Sequence, residues 1–222
     1  MSPAQNLFLQ IHTLDLSHNN LTAFGAEHFT AFHFMGRLDL SSNKINSIHK
    51  ESFEPLVNLR DLDLSHNRLT KVPWYNDSVS SLNLARNRLR KLDFGRNMTL
   101  HRLDVSGNPL DMHSKVTHLG YVEQLVIRDL PGETLPVAIL NRFAPWVKSL
   151  DLSGNKVMRN AGVNFRHFNE LQILSLSNCK IRQWQSDLLP EVNSTLLELD
   201  LSWNTIGQIT LKNMDSVQRV SK

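Results

Sequence analysis

Apolar residues along this chain fall in a short burst that repeats. Residues 59 to 69 show it best: Leu59, Arg60, Asp61, Leu62, Asp63, Leu64, Ser65, His66, Asn67, Arg68, Leu69. Side chains of a strand alternate between its two faces. Leu62 and Leu64 are therefore predicted to point inward, and Asp61, Asp63 and Ser65 outward. Asn67 follows where the chain must turn. Its carboxamide offers two donors and an acceptor. That is enough to satisfy backbone groups no strand pairing reaches, where one left unpaired would cost about 1–3 kcal/mol. The asparagine is predicted to be structural.

The L-x-x-L-x-L-x-x-N-x-L skeleton recurs nine times, at intervals of 20 to 25 residues between equivalent leucines. The turn position reads Asn19, Asn43, Asn67, Asn87, Asn108, Leu130, Asn155, Cys179 and Asn204. A fixed period of this size marks a stacked solenoid, in which a turn buries its apolar face only against its neighbours. One strand per turn predicts a parallel sheet on the concave side. Phe29, Phe53, Phe165 and Phe168 lie in the return segments and predict a second apolar column on the convex side. The shortest repeats begin at Leu62 and Leu82 and leave little room for helix, so extended or 3₁₀ returns are predicted there. Residues 133–145, with Leu135, Val137, Ile139, Leu140 and Phe143, predict a short helix. Phe8 reads as part of an earlier turn, and Val217 and Val220 as the start of a tenth strand.

Phe29, Phe32, Met35, Leu38, Leu40, Asn43, Ile45 and Ile48 fit a 24-residue F-x-x-L-x-x-L-x-x-L-x-L-x-x-N-x-L-x-x-L form. This resembles the typical class of metazoan extracellular leucine-rich-repeat proteins, the group of Toll receptors, Slit, chaoptin-like adhesion proteins and small leucine-rich proteoglycans. The resemblance runs over about residues 8 to 220. It implies an α/β fold, a right-handed horseshoe solenoid with a parallel sheet on the concave face and mostly irregular or 3₁₀ convex returns. It also implies a protein-binding role in adhesion or signalling, through the concave sheet or a flank. The plant-type L-x-G-x-I-P form is absent, as are the cysteine modules that usually flank such arrays.

Composition fits one repeat domain over residues 1–222. Of the 222 residues 41% are hydrophobic, enough for a continuous core. The formal net charge is +3, with no run of Lys or Arg to concentrate it. No apolar run approaches the roughly 18 residues of a membrane-spanning helix, and Met1 to Gln10 lack the features of a secretory leader. The single cysteine, Cys179, excludes an intrachain disulfide. A reducing compartment would explain this; so would a segment cut from a longer array whose capped ends lie outside it. The incomplete, uncapped repeats at both ends favour the segment. The expected location is extracellular or at the cell surface, with a cytoplasmic scaffold or regulatory subunit as the alternative and a structural matrix protein as a third.

Candidate chemistry is sparse. An acidic row, Asp15, Asp39, Asp63, Asp104, Asp151 and Asp200, lines the predicted concave face. It reads either as a docking strip or as the plain repeat pattern. It does not gather the six to eight oxygens around a point that calcium takes. Arg37, Arg60, Arg86, Arg102 and Arg128 project nearby. Because Arg is enriched in binding hot spots, Arg37, Arg60, Arg102 and Arg128 are candidate protein contacts, with Asp63. Repeat six departs from the pattern at Val126, Arg128 and Leu130, and reads as a specificity patch, a bend or a drifted repeat. Ile173, Leu197 and Trp203 add apolar side chains at outward positions and read as an apolar contact patch rimmed by polar residues, with Trp203 the strongest anchor; Trp184 falls at a core position.

The histidines do not converge: His18 and His66 share a column two strands, about 10 Å, apart. Ser-His-Asp combinations such as Asp15, Ser17 and His18 arise from the repeat and form no oriented triad. Neither an enzyme, a metal nor a cofactor is expected. Asn20, Asn76, Asn97 and Asn193 head N-x-S/T sequons and are candidate glycosylation sites. The expected partner is a protein ligand or co-receptor, with homophilic or homodimeric contact a further option. The interleaved acidic row argues against nucleic acid, and no membrane contact is expected of this segment.

Overall fold

The computed structural model describes residues 10–25, 29–49, 51–73, 75, 77–111, 113–156, 165, 167–183 and 195–208. Phe8, Asn76, Val157, Trp184, Asn193, Val217 and Val220 lie outside them, so the expectations for those positions stay as the sequence left them.

Nine strands form one parallel sheet. In chain order they are β1 (Thr13–Asp15), β3 (Arg37–Asp39), β5 (Asp61–Asp63), β6 (Ser81–Asn83), β7 (Leu92–Asp104), β8 (Val116–Val126), β9 (Ser149–Asp151), β10 (Ile173–Ser175) and β11 (Glu198–Asp200). Each pairs with the next turn's strand, and the register sets inward leucine beside inward leucine: Leu14 on Leu38, Leu62 on Leu82, Leu174 on Leu199. A smaller parallel pair, β2 (Ala23–Phe24) with β4 (Ser47–Ile48), follows the first two turns' asparagines. Leu38, Leu40, Leu62, Leu64, Leu82, Leu84, Leu150 and Leu152 are fully buried in one continuous core. In the first and last described turns Leu14, Leu16, Leu199 and Leu201 are only part-buried, because a described neighbour covers them on one side alone.

The return segments follow their length. In the longer early turns Phe29 and Phe53 stack with centroids 6.3 Å apart, and Phe165 packs on Phe168 at 5.7 Å in a later one. The turn after β5 is too short for such a column; Tyr75 and Phe94 meet edge to face instead. The sequence predicts extended or 3₁₀ returns after β5 and β6; the described residues after β5 form bends and turns instead, whereas the returns after β6 and, unpredicted, β7 are largely extended. Beyond the turn residues they run extended into the next strand, so β7 runs 13 residues and β8 runs 11. Leu92, Phe94, Met98 and Leu100 are buried and alternate with exposed neighbours, as a half-buried strand requires. Register shifts around Met98 absorb the corner, where Gly95 and His118 hold positive φ. The predicted helix is present as α1 (Val137–Phe143). Pro136 is its N-cap, and the Pro136 carbonyl accepts the N–H groups of Ile139 and Leu140 at 2.9 and 3.0 Å. Ile139, Leu140 and Phe143 form its buried face, and the Arg142 guanidinium lies 5.1 Å over the Trp146 ring.

Buried asparagines tie the turns together. The Asn67 Nδ2 group donates to Leu64 and Ser65 carbonyls in its own turn and to Leu40 in the turn before, at 2.9–3.1 Å. Its Oδ1 accepts the Ile45 N–H of that earlier turn at 2.9 Å. Asn43, Asn87 and Asn108 repeat the arrangement. Where the position is Leu130 the link is missing, and the Leu110 N–H turns to the Asn108 carbonyl at 2.8 Å. At Cys179 a buried thiol takes over part of the role, with Sγ 3.3 Å from the Leu152 carbonyl. Burial pushes this thiol up to about 11, so it stays protonated and able to donate. The residue before the turn position has positive φ in all nine turns: His18, Ser42, His66, Arg86, Gly107, Asp129, Gly154, Asn178 and Trp203. Only two are glycine, so the left-handed step left no mark in the sequence. At Gly154 glycine is also needed for space: an added Cβ would fall 1.9 Å from Asp129 Oδ1.

Two predictions follow from these links. Asn67→Ala should lower the unfolding free energy in urea by about 2–3 kcal/mol, because it strands buried backbone groups in two turns. Asn19→Ala should cost less than about 1 kcal/mol, since Asn19 is exposed and, among the described residues, bonds only within its own turn. The second concerns the β7–β8 pairing. Asp93 accepts hydrogen bonds from His118, Thr117 and the Gly95 N–H, which lower its pKa from 3.8 to about 2. A carboxylate depressed on folding stabilises the folded chain above pH 3.8 and loses that effect as pH falls toward 2. Asp93→Asn should therefore melt below the parent at pH 6, and the gap should close between pH 4 and 2.

Candidate functional site

The outward side chains of the sheet form columns, and the register decides which residues meet. Arg37 stands beside Asp61, and Asp61 beside Ser81; two residues along, Asp39, Asp63 and Asn83 are neighbours. Together Arg37, Asp61, Asp63, Ser81 and Asn83 line an open, polar depression on the concave face at turns two to four. Of the predicted contacts this unites Arg37 with Asp63. Arg60 lies next to it, one position before Asp61, and is exposed. Among the described residues neither Arg37 nor Arg60 has an ion pair, so both guanidinium groups are open to a ligand. Arg102 shares Arg37's column on β7 but leans toward Asp104, 3.7 Å away.

The acidic row has a local task. In each strand one carboxylate oxygen accepts the backbone N–H two residues on: Asp15 from Ser17, Asp39 from Ser41, Asp63 from Ser65, Asp104 from Ser106, Asp151 from Ser153 and Asp200 from Ser202, at 2.8–3.0 Å. Asp15 and Asp200 are held below the ordinary carboxylate value chiefly by the side-chain bonds of Ser17 and Ser202. These short-range turns explain why Asp or Asn recurs there. The second carboxylate oxygen is also used in places, as at Asp63, whose Oδ2 accepts from Asn83 at 2.8 Å.

Three expectations need correction. Ser65 does not face solvent; it is 6% exposed. Its N–H is bound to Asp63, and its carbonyl takes bonds from Ser42 and Asn67, so the chain is already folding inward there. Val126 is 4% exposed and offers no contact surface. It stands between Asp104 and Asp151 in the register. Two residues on, Arg128 reaches across the same face to Asp151 with both Nε and Nη2. The apolar side chain is thus enclosed by its neighbours on the sheet. Finally, Ile173, Leu197 and Trp203 do not form one patch. Ile173 and Leu197 are near neighbours where β10 and β11 begin, since the Leu197 N–H donates to Gln172. Trp203, 86% exposed, lies beyond the other end of β11 in the positive-φ column.

Arg128 is half exposed, yet it belongs to a structural network. Burial alone would raise the Asp151 pKa; hydrogen bonds from Arg128 and Ser153 outweigh it and lower the value. The network continues through Ser153 and Ser175 to Asp200. A second chain, His101 to Glu123 at 3.0 Å and Glu123 to Lys148 at 3.3 Å, crosses β7, β8 and β9. No local pattern foretells this chain, because its members lie 22 and 25 residues apart. Among the described residues no three His, Cys, Asp or Glu side chains gather as a metal would need, and no helix is long and apolar enough to cross a membrane. Of the sequons, Asn20 and Asn97 are exposed, as are Thr22 and Thr99; Asn76 and Asn193 lie outside the described residues.

Comparison with known proteins agrees with this geometry. A family model described as leucine rich repeat matches residues 10–69, and a second of the same description matches residues 96–111, 144–163 and 192–208. The irregular sixth repeat falls between these spans. No curated protein matches the chain. Among solved structures, the crystal structure of the leucine-rich repeat domain of APL1B is similar over 90% of this chain, with a TM-score of 0.57 and 24% identity. This chain spans 56% of that one, and the likeness is one of fold.

The Arg128 network yields its own prediction. Arg128→Ala should lower stability by about 1 kcal/mol. It should also raise the Asp151 pKa, measured by carboxylate NMR titration. An unchanged Asp151 titration would mean that Arg128 is free to serve a ligand.

Proposed function

We propose that this chain, which belongs to the leucine-rich-repeat family, is a protein-recognition segment of a cell-surface receptor or adhesion ectodomain, and that it binds its partner on the concave face. Leucine-rich-repeat domains generally bind proteins and are typically not catalytic. The observation that carries the finer reading is the depression at turns two to four, with Arg37 and Arg60 exposed and in no ion pair among the described residues. Exposed arginines on a rigid sheet can fork onto carboxylates of a partner without first breaking an internal bond. Trp203 is a second anchor on the flank. The extracellular part of the reading is supported by the family resemblance and by the exposed sequons at Asn20 and Asn97.

The location test uses protein made through a secretory pathway. Peptide-N-glycosidase should remove carbohydrate from it, and Asn97→Gln should lose one glycan's mass. Protein that emerges without carbohydrate would favour the intracellular scaffold reading. The concave-face test uses a partner captured from extracellular fluid of the source tissue. Arg37→Glu/Arg60→Glu should weaken that complex at least about tenfold, the scale of a hot-spot loss of 1.4 kcal/mol or more. Undiminished binding would remove the concave face from the proposal.

A further inference from the structure

The chain leaves each concave strand through the positive-φ residue and the turn asparagine, and the next residue emerges on the flank. In turns two, three and four that residue is Lys44, Arg68 and Arg88. Backbone hydrogen bonds fix their stacking: the N–H groups of Lys44, Arg68 and Arg88 donate to Leu21, Ile45 and Leu69 of the preceding turns, each at 2.8 Å. Three cations therefore rise from successive turns at one strand spacing, about 4.8 Å. Arg86 stands beside them with its stem against Gly107, where an added Cβ would come within 2.9 Å of Arg86 Cγ. Arg90 and Lys91 continue the basic surface after Arg88. All six are exposed, and among the described residues none is in an ion pair. Asp111 takes Arg90's place in the next turn, but its carboxylate is bound by the His113 N–H and the Ser114 hydroxyl.

Like charges this close repel, though weakly where they are exposed to water. An anion lying along the column would turn that repulsion into attraction at every step. The column has limits. Pro109 and Pro131 occupy the position in turns five and six, and in turn seven Lys156 is paired with Glu133 at 2.8 Å.

We propose that this flank, over turns two to four, binds a linear sulfated polysaccharide lying along the solenoid axis. Sulfate esters remain ionised at any physiological pH, and guanidinium forks match their oxygens two at a time. The evenly stepped row suits an extended polyanion rather than a single anion. Other polyanions fit less well. Single-stranded nucleic acid wants stacking aromatics, and none is exposed on this flank of the three turns among the described residues. A DNA duplex wants a helix or ribbon to enter its groove, and the strip is a row of turns. This surface is separate from the concave depression and does not depend on it.

The test titrates the folded chain with a size-defined heparin oligosaccharide, its desulfated counterpart and a DNA duplex, at several salt concentrations. The sulfated oligosaccharide should bind near physiological ionic strength and the desulfated one should not. Arg68→Gln/Arg88→Gln should weaken binding at least about tenfold and flatten the log–log salt dependence by about 2, one per cation removed. Lys180→Gln/Arg182→Gln makes the same charge change on the same flank beyond the proline interruption and should leave affinity unchanged. Lys44→Gln provides a single, milder variant with a smaller loss. All these side chains are exposed, so melting temperatures should match the parent. Absence of sulfated-ligand binding would overturn the proposal. So would equal losses in the two double variants, or duplex DNA that binds as tightly as the oligosaccharide.

Discussion

The carboxamide that follows most of the strands, buried at Asn43, Asn67, Asn87, Asn108 and Asn155, is the constraint on which the other features of this solenoid depend. The turn leaves backbone groups that no sheet pairing reaches, and in a packed interior they cannot be left bare. Asn67 satisfies carbonyls in two successive turns and accepts an N–H from the earlier one. The consequences spread outward. The chain takes a left-handed step just before it, in nine turns out of nine. The preceding Asp closes its own short turn, and small residues such as Ser65 fit beneath. The chain tolerates Leu130 because Asn108 and Asn155 flank it and the stranded Leu110 N–H finds a local carbonyl. It tolerates Cys179 because a protonated thiol can still donate, if weakly.

The second constraint is the length of the return. Long turns fill their convex side with phenylalanines; the turns of 20 to 22 residues do not build that column. In the turns between Leu82 and Leu103 and between Leu103 and Leu125 the later part of the return is extended, and β7 and β8 become long paired strands held by side-chain bonds such as His118 to Asp93. The helix α1 appears where apolar spacing changes to i, i+4, as Leu135, Ile139 and Phe143 show.

Function on such a scaffold belongs to what stacking does not use. Most outward aspartates cap turns, and Arg128 is committed to Asp151, which leaves Arg37, Arg60 and Trp203 on the concave side and its edge. On the flank, Lys44, Arg68 and Arg88 are equally uncommitted. Two separate surfaces thus remain available, one mixed in charge and one purely basic.

The sequence by itself determined the period, the inward leucines, the structural asparagines, the phenylalanine column and the position of α1. Each of these is a local pattern, set by strand alternation or helix spacing within one turn. Only the tertiary structure decided which outward residues are free, because that depends on residues one turn away. Val126 looked like a contact and is enclosed by Asp104, Asp151 and Arg128. Trp203 looked continuous with Leu197 and lies beyond the other end of the strand. Lys44, Arg68 and Arg88 are 24 and 20 residues apart, so no run of charge revealed them. Stacking at one strand spacing turned three isolated cations into a row.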